Sequence, residues 1–230
     1  MFERALAGYE KVLGLDHGST LNTVHGLGIL YANRGQLDEA KEMYRRAIAG
    51  YEKALSPEHT STLLLMMNMG ILSCRQGHLL KAEGMCHRAL TGLKRLLGPD
   101  HIFVIGAAIN LANIFGEQRM WLKAKEMYEQ ALDGITRTLG GEHYYLWGVI
   151  NNLGLIRAEQ GELNRALQMY QKASDGFESS LGLEHPHTEM VRYNIGHLGL
   201  TETKTSAEAL KTADAKNDGN RQRRRWYYYC

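Results

Sequence analysis

The sequence predicts an all-α protein, a right-handed superhelical solenoid of antiparallel helix pairs. The first observation is a period of 42 residues that holds without an insertion, marked by His17, His59, His101, His143 and His185. The second is that every unit contains two stretches whose apolar residues recur at three-to-four spacing, as on one face of a helix. One helix pair cannot bury such faces alone, so neighbouring units are expected to stack.

The apolar pattern predicts two helices in each repeat unit, which we call the first helix and the second helix. The first helix is represented by residues 19–35, STLNTVHGLGILYANRG, and Gly35 is expected to end it. The second is represented by residues 36–55, QLDEAKEMYRRAIAGYEKAL. Small residues at Gly28 and Ala40 predict that the two helix backbones approach each other closely.

The period also predicts the boundaries. Residues 1–18 form a partial repeat with a second helix only, and residues 19–186 form four complete repeats. Residues 187–216 are expected to hold a last first helix and a short capping helix, because Thr205 opens the capping-box sequence TSAE. Residues 217–230 are polar and basic, then aromatic, and are expected to be disordered.

Composition argues against several classes of function. The net charge of +2 does not favour nucleic acid, and no apolar run is long enough to predict a membrane span. Cys74, Cys86 and Cys230 are an odd number without paired spacing, which argues against a disulfide framework or a zinc site and favours a reducing compartment such as the cytoplasm. No phosphate loop, HExxH or GxSxG sequence is present, so neither an enzyme nor a cofactor is expected.

The periodic histidines are not expected to bind metal. Each lies one repeat from the next, so they cannot converge on one ion. An acidic residue precedes each of them, and Ser19, Thr60 or Thr188 lies near the start of the following helix. The acid–histidine pair is therefore interpreted as turn and helix-capping chemistry. Cys86 stands at the position of Tyr44 in its own repeat, which predicts a core residue rather than a nucleophile.

These residues resemble the tetratricopeptide repeat, with Leu-Gly and an aromatic in the first helix and Ala…Tyr…Ala in the second. The 42-residue period and the segment LGLDH at residues 13–17 are similar to kinesin-light-chain-type repeats. The phrase RALxGYEKxLGPDHxxTL resembles the arrays that end many fungal NOD-like (NB-ARC/NACHT) receptor proteins, where they follow an NTP-binding switch domain. Since Met1 falls at the repeat position of Met43, the chain is expected to be a fragment or truncated relative of a longer array.

The resemblance implies a non-catalytic scaffold that binds a protein or peptide in a concave groove lined by first helices. Kinesin light chains carry a peptide-contacting Asn where this chain has Asn68, Asn110, Asn152 and Asn194. An amide suits this task because it offers donors and an acceptor to a peptide backbone. The predicted groove residues are these four together with Asn113, Asn151, Leu64, Met67, Met190 and Tyr193.

Two alternatives to a groove role stay open at the level of sequence. The Asn residues are also suited to bond neighbouring helices within the stack, and the apolar residues to ordinary packing. A clamp for a C-terminal carboxylate is not favoured, because Asn113 fits its Asn position but Ile109 stands where the clamp needs a polar partner.

The resemblance favours the sensor or interaction region of a larger receptor-like protein, with a kinesin-light-chain-like cargo adaptor as the alternative. A third possibility is self-assembly into a homo-oligomer through the unmatched helix at residues 2–14. Contact of Arg221 and Arg223–Arg225 with nucleic acid or membrane is not favoured, because a few charges in a flexible tail bind weakly.

Overall fold

The computed structural model describes the backbone of residues 2–141 and 143–208, and the side chains of residues 2–141 and 143–198. Within that part of the chain there are ten α-helices and no β-strand. They are α1 Phe2–Leu13, α2 Gly18–Asn33, α3 Leu37–Ala54, α4 Thr60–Arg75, α5 Leu79–Leu97, α6 Ile102–Glu117, α7 Trp121–Thr138, α8 Tyr144–Glu159, α9 Leu163–Leu181 and α10 Pro186–Glu208. The predicted all-α fold of helix pairs is confirmed, and the handedness of the superhelix stays a prediction.

The described residues divide into two compact units, with the boundary inside α7 after Met127. In the first unit α1 packs on α2, the first helices α2 and α4 each pack on the second helix that follows, and α5 then packs on α6. In the second unit α8 packs on α9, and α9 packs on α10. By the 42-residue period α1 is a second helix and α10 is a first helix.

Glycines on the first helices receive a large side chain from the paired second helix. A Cβ added to Gly28 would lie 2.5 Å from Cε1 of Tyr44, and one added to Gly154 would lie 2.9 Å from Cε1 of Tyr170. Gly70 receives the Cys86 thiol in the same way. We call Gly28, Gly70 and Gly154 the first-helix notches.

The second helices carry the reciprocal arrangement. Gly50 accepts Leu21, Gly92 accepts Leu63, and Gly176 accepts the indole of Trp147. We call Gly50, Gly92 and Gly176 the second-helix notches. In these three helix pairs the two notches bring the backbones together, and the predicted small residue Ala40 is fully buried.

The turns between paired helices need a left-handed residue. Gly35, Gly77 and Gly161 have φ near +80°, which a residue without Cβ adopts at no steric cost. Arg119 occupies the equivalent turn with φ of 60°. The predicted end of the first helix at Gly35 is confirmed, since α2 ends two residues earlier.

The periodic histidines are the N-caps of the first helices. In α2, Nδ1 of His17 accepts a hydrogen bond from the Ser19 backbone N–H at 3.2 Å, and Thr20 Oγ1 donates to the Gly14 carbonyl at 2.8 Å. The same His cap begins α4, α6 and α8. The capping interpretation is therefore confirmed for the histidine of the acid–histidine pair.

The acidic residues before the first two caps have a separate role. Asp16 pairs with Lys53, and Glu58 pairs with Arg95 at 2.8 Å, in each case 37 residues later on the second helix of the same repeat. We call this contact the loop–helix ion pair. It joins the loop before the first helix to the C-terminal end of the second helix in the same repeat.

The last helix runs further than the repeat pattern predicts. α10 continues past Thr205 to Glu208, where the capping-box sequence predicted a new helix start. The remainder of the predicted capping helix and the predicted tail at residues 217–230 lie outside the described residues.

Acidification is expected to weaken the second unit through His187. Its ring centroid lies 5.6 Å from that of Phe177 and 4.9 Å from that of His185. Burial, followed by the charge of His185, lowers the pKa of His187 to about 4. The unfolded chain, with a pKa near 6.5, takes up this proton first, so stability is lost as the pH falls from about 6.5 to 4.

The measurement is urea unfolding of the parent and of His187→Gln at pH 7.5, 5.5 and 4.5. Because the ring is partly exposed, we expect the parent to lose about 1–2 kcal/mol more than the variant over this range. Parallel losses in both proteins would contradict the assignment.

Candidate functional site

Two polar side chains form a contact between α2 and α4, the first helices of two successive repeats. Asn68 Nδ2 on α4 lies 2.8 Å from Nε2 of His25 on α2. An amide nitrogen can only donate, so Nε2 accepts and the ring proton is on Nδ1. Burial lowers the pKa of His25, which keeps the imidazole neutral and able to accept. Both side chains are partly exposed, so this pair is accessible from one side.

A pocket lies beside this pair, on a surface that we call the inner face of α2 and α4. Its floor is apolar, with Ala32 and Tyr44 buried on one side and Ile71 and Leu72 buried on the other. The complete lining is Ile29, Ala32, Asn33, Tyr44, Asn68, Ile71, Leu72 and Arg75.

The rim of the pocket is polar and exposed. Asn33 ends α2 and Arg75 ends α4, and both side chains reach solvent. Arg75 Nη1 donates at 2.8 Å to the Ala32 carbonyl, which also accepts from the Gly35 backbone N–H at 3.1 Å. This bond fixes the guanidinium over the apolar floor while its other donors remain available to a ligand.

In the second unit, the repeat positions of His25 and Asn68 belong to a chain of amides. Asn194 Nδ2 on α10 donates to Asn151 Oδ1 on α8 at 2.9 Å, and Asn151 Nδ2 donates to Asn152 Oδ1 at 2.9 Å. All three side chains are fully buried. The chain holds α10 against α8 in a way that an apolar contact would not specify.

The ten predicted groove residues therefore fall into two groups. Met67 and five amides are buried, the amides being Asn110, Asn113, Asn151, Asn152 and Asn194. The partly exposed group is Asn68, Leu64, Met190 and Tyr193. A groove role stays a prediction for all ten. Burial of the five amides agrees with the alternative in which Asn bonds helices within the stack.

Sequence reasoning did not single out His25, Asn33 or Arg75 as site residues. Asn33 and Arg75 occupy one repeat position, and Arg75 follows Ile71 by four residues, which places both on one face of α4. That spacing is the signal by which the rim could have been found.

Other chemistry has little support on the described surface. Cys86 is fully buried, and this burial raises the pKa of its thiol, so no thiolate nucleophile is available there. Among the residues that the structure describes, no three His, Cys, Asp or Glu side chains are grouped so as to hold a metal ion. In the same part of the chain no helix has the length and apolarity needed to cross a membrane.

Solved structures with the same fold are helical repeat proteins. The crystal structure of BtubC (BKLC) from P. vanneervenii matches with a TM-score of 0.67 and 19% identity, covering 95% of this chain and 96% of that one. A putative kinesin light chain from Podospora anserina, with nearly identical TPR-like repeats, matches with a TM-score of 0.61 and 20% identity, covering 83% of this chain and 90% of that one. A single-substitution form of the same Podospora protein gives 0.60 and 20%, with 81% and 88% covered. At these identities the likeness concerns the fold alone.

Family models match most of the repeat array. No curated protein matches the chain by sequence. One tetratricopeptide repeat model matches residues 1–53 and 60–137, and a second matches residues 148–187. These ranges span more than half of the chain and contain all six glycine notches. The chain belongs to the tetratricopeptide repeat family.

Proposed function

We propose that this protein is a non-catalytic scaffold that binds an extended segment of a protein partner on the inner face of α2 and α4. The tetratricopeptide repeat family generally mediates protein–protein interaction. The observation that carries the location is the pocket, because it combines a buried apolar floor with an amide and a guanidinium at its exposed rim.

Each part of the pocket has a separate task in this proposal. The floor at Ile71 and Leu72 takes one apolar side chain of the partner. The Asn68 amide and the free donors of Arg75 bond backbone carbonyls on either side of that residue. Each hydrogen bond contributes about 0.5–1.5 kcal/mol net, so the apolar anchor must supply much of a micromolar affinity, which needs about 8 kcal/mol.

The test begins with a peptide library displayed on phage and selected against the whole chain. Affinities of the selected peptides are then measured by fluorescence anisotropy for the parent, Asn68→Ala and Arg75→Ala. Arg45→Ala is the matched control, since it removes an exposed guanidinium from the second helix α3. We expect the first two variants to bind at least about fivefold more weakly, a loss of about 1 kcal/mol, and the control to bind as the parent does.

Thermal unfolding verifies that the variants are folded. Selected peptides that bind the parent and both pocket variants with one affinity would place the binding surface elsewhere. A selection that yields no binder would remove the peptide-binding proposal.

We also propose that this array is the interaction region of a larger receptor-like protein, with a cargo adaptor as the alternative. The support for the receptor is the likeness of its RALxGYEKxL phrases to receptor arrays, and the support for the adaptor is the likeness in fold to a putative kinesin light chain. Sequencing of native transcripts separates the two. An NTP-binding domain joined in frame supports the receptor, and a heptad coiled-coil segment supports the adaptor.

A further inference from the structure

By the 42-residue period, the first and the last helices that the structure describes belong to opposite halves of a helix pair. α1 is a second helix, and none of its residues is buried. α10 is a first helix, and the described part of the chain contains no second helix after it. The contacts within the internal pairs therefore indicate which side chains a helix that pairs with α1 or with α10 would supply.

The aromatic contact is the first of these. Phe2 stands at the repeat position of Tyr44, and its ring packs with one side against Gly26 of α2. It is 49% exposed, whereas Tyr44 is 3% exposed because its ring also fills the first-helix notch at Gly28. Gly196 on α10 is the equivalent notch, and no atom lies within 4 Å of a Cβ added there.

The second contact is the reciprocal notch. Gly8 on α1 is equivalent to Gly50, and it too has open space where a Cβ would be. The side chain that α10 offers at the position of Leu21 is Glu189. Its methylene groups can cover the glycine, and its carboxylate keeps this edge of the contact polar. The joint is consequently weaker than an internal pair.

The third contact is electrostatic. The loop–helix ion pair joins Asp16 to Lys53 and Glu58 to Arg95. Glu184, before α10, stands at the position of Asp16, and Lys11, near the end of α1, stands at the position of Lys53. Both are exposed. A second copy of the chain can thus supply the missing half of this ion pair.

We propose that α10 of one copy pairs with α1 of a second copy, with Phe2 in the Gly196 notch and Lys11 paired with Glu184. The partner is the same chain because both halves of the contact set are on it. The contact joins two different surfaces, so a dimer retains one free α1 and one free α10 and growth continues beyond two copies.

The test uses glycine-to-glutamine variants of the 230-residue chain in sedimentation velocity at concentrations from micromolar to a few hundred micromolar. Gly8→Gln blocks the face of α1, Gly196→Gln blocks the notch of α10, and Gly84→Gln fills an equally open helical glycine of α5 as the control. All three are expected to fold, because Gln forms helix better than Gly. The parent and Gly84→Gln are expected to gain mass with concentration, and the other two to stay monomeric.

Mixing separates this contact from other modes of association. Gly8→Gln retains a free α10, and Gly196→Gln retains a free α1, so an equimolar mixture is expected to form heterodimers and nothing larger. If Gly196→Gln forms dimers in the absence of the other variant, the contact joins α1 to α1 and the proposal is wrong. A parent that is monomeric at every concentration also overturns it.

A charge exchange tests the register. Lys11→Glu and Glu184→Lys are each expected to shift the association midpoint to at least about fivefold higher concentration, and the double variant to return it towards the parent value. Two additive losses without recovery would rule out the pairing of Lys11 with Glu184.

Discussion

Replacement of Gly176 by alanine is expected to destabilise the second unit by about 2–3 kcal/mol, although alanine is the better helix former. A Cβ at this position would overlap three ring atoms of the Trp147 indole. The indole cannot move freely, because its Nε1 donates to Ser180 Oγ at 3.2 Å and its side chain is 7% exposed. Relief of the overlap must therefore separate α8 from α9. Urea unfolding followed by circular dichroism gives the free energy.

The matched control is Gly84→Ala in α5. This glycine is also inside a second helix, but a Cβ there meets no atom within 4 Å. Here alanine is expected to stabilise the protein by about 0.5–1 kcal/mol, because it loses less backbone entropy on folding than glycine. If both substitutions stabilise the protein, the second-helix notch is not a packing contact. A destabilising Gly84→Ala would mean that the helix itself requires glycine.

Periodicity was sufficient to predict the helix pairs and their small-residue contacts. The 42-residue repeat located α2 and α3 to within about two residues, and it pointed to Gly28 and Ala40 as close contacts. The spacing of apolar residues and the position of a left-handed glycine are local properties of the chain. A single sequence is therefore enough to predict where these helices lie and end. The identity of the caps is also local, since His17 bonds a backbone N–H only two residues away.

The candidate site could be predicted only in part, because its properties depend on which side chains meet across repeats. His25 and Asn68 are 43 residues apart in sequence, and their contact depends on how α2 packs on α4. The period also treats all Asn positions alike. It could not separate the partly exposed Asn68 from the fully buried Asn152 and Asn194, since burial is set by tertiary neighbours.

Replacement of Asn151 by leucine is expected to cost about 2 kcal/mol of unfolding free energy. Asn151 both donates and accepts in the amide chain, so its replacement removes a hydrogen bond from a buried amide on each side. The space itself suits an apolar side chain, because Met67 and Ile109 occupy the equivalent positions in other repeats. The cost therefore measures hydrogen bonding rather than overpacking. The expected loss is seen in urea unfolding monitored by circular dichroism.

Two further variants decide whether the amides hold the stack or serve the groove. Asn68→Leu is expected to cost less than about 1 kcal/mol, because Asn68 and His25 are partly exposed and water can replace the lost bond. Asn151→Leu combined with Asn194→Leu is expected to cost less than the sum of the single changes, since the donor and the acceptor of one bond are removed together. Unchanged stability in Asn151→Leu would favour the hypothesis that the buried amides serve the groove. Additive losses in the double variant would show that the bond between α8 and α10 contributes little, and the specificity of that contact would then rest on apolar packing alone.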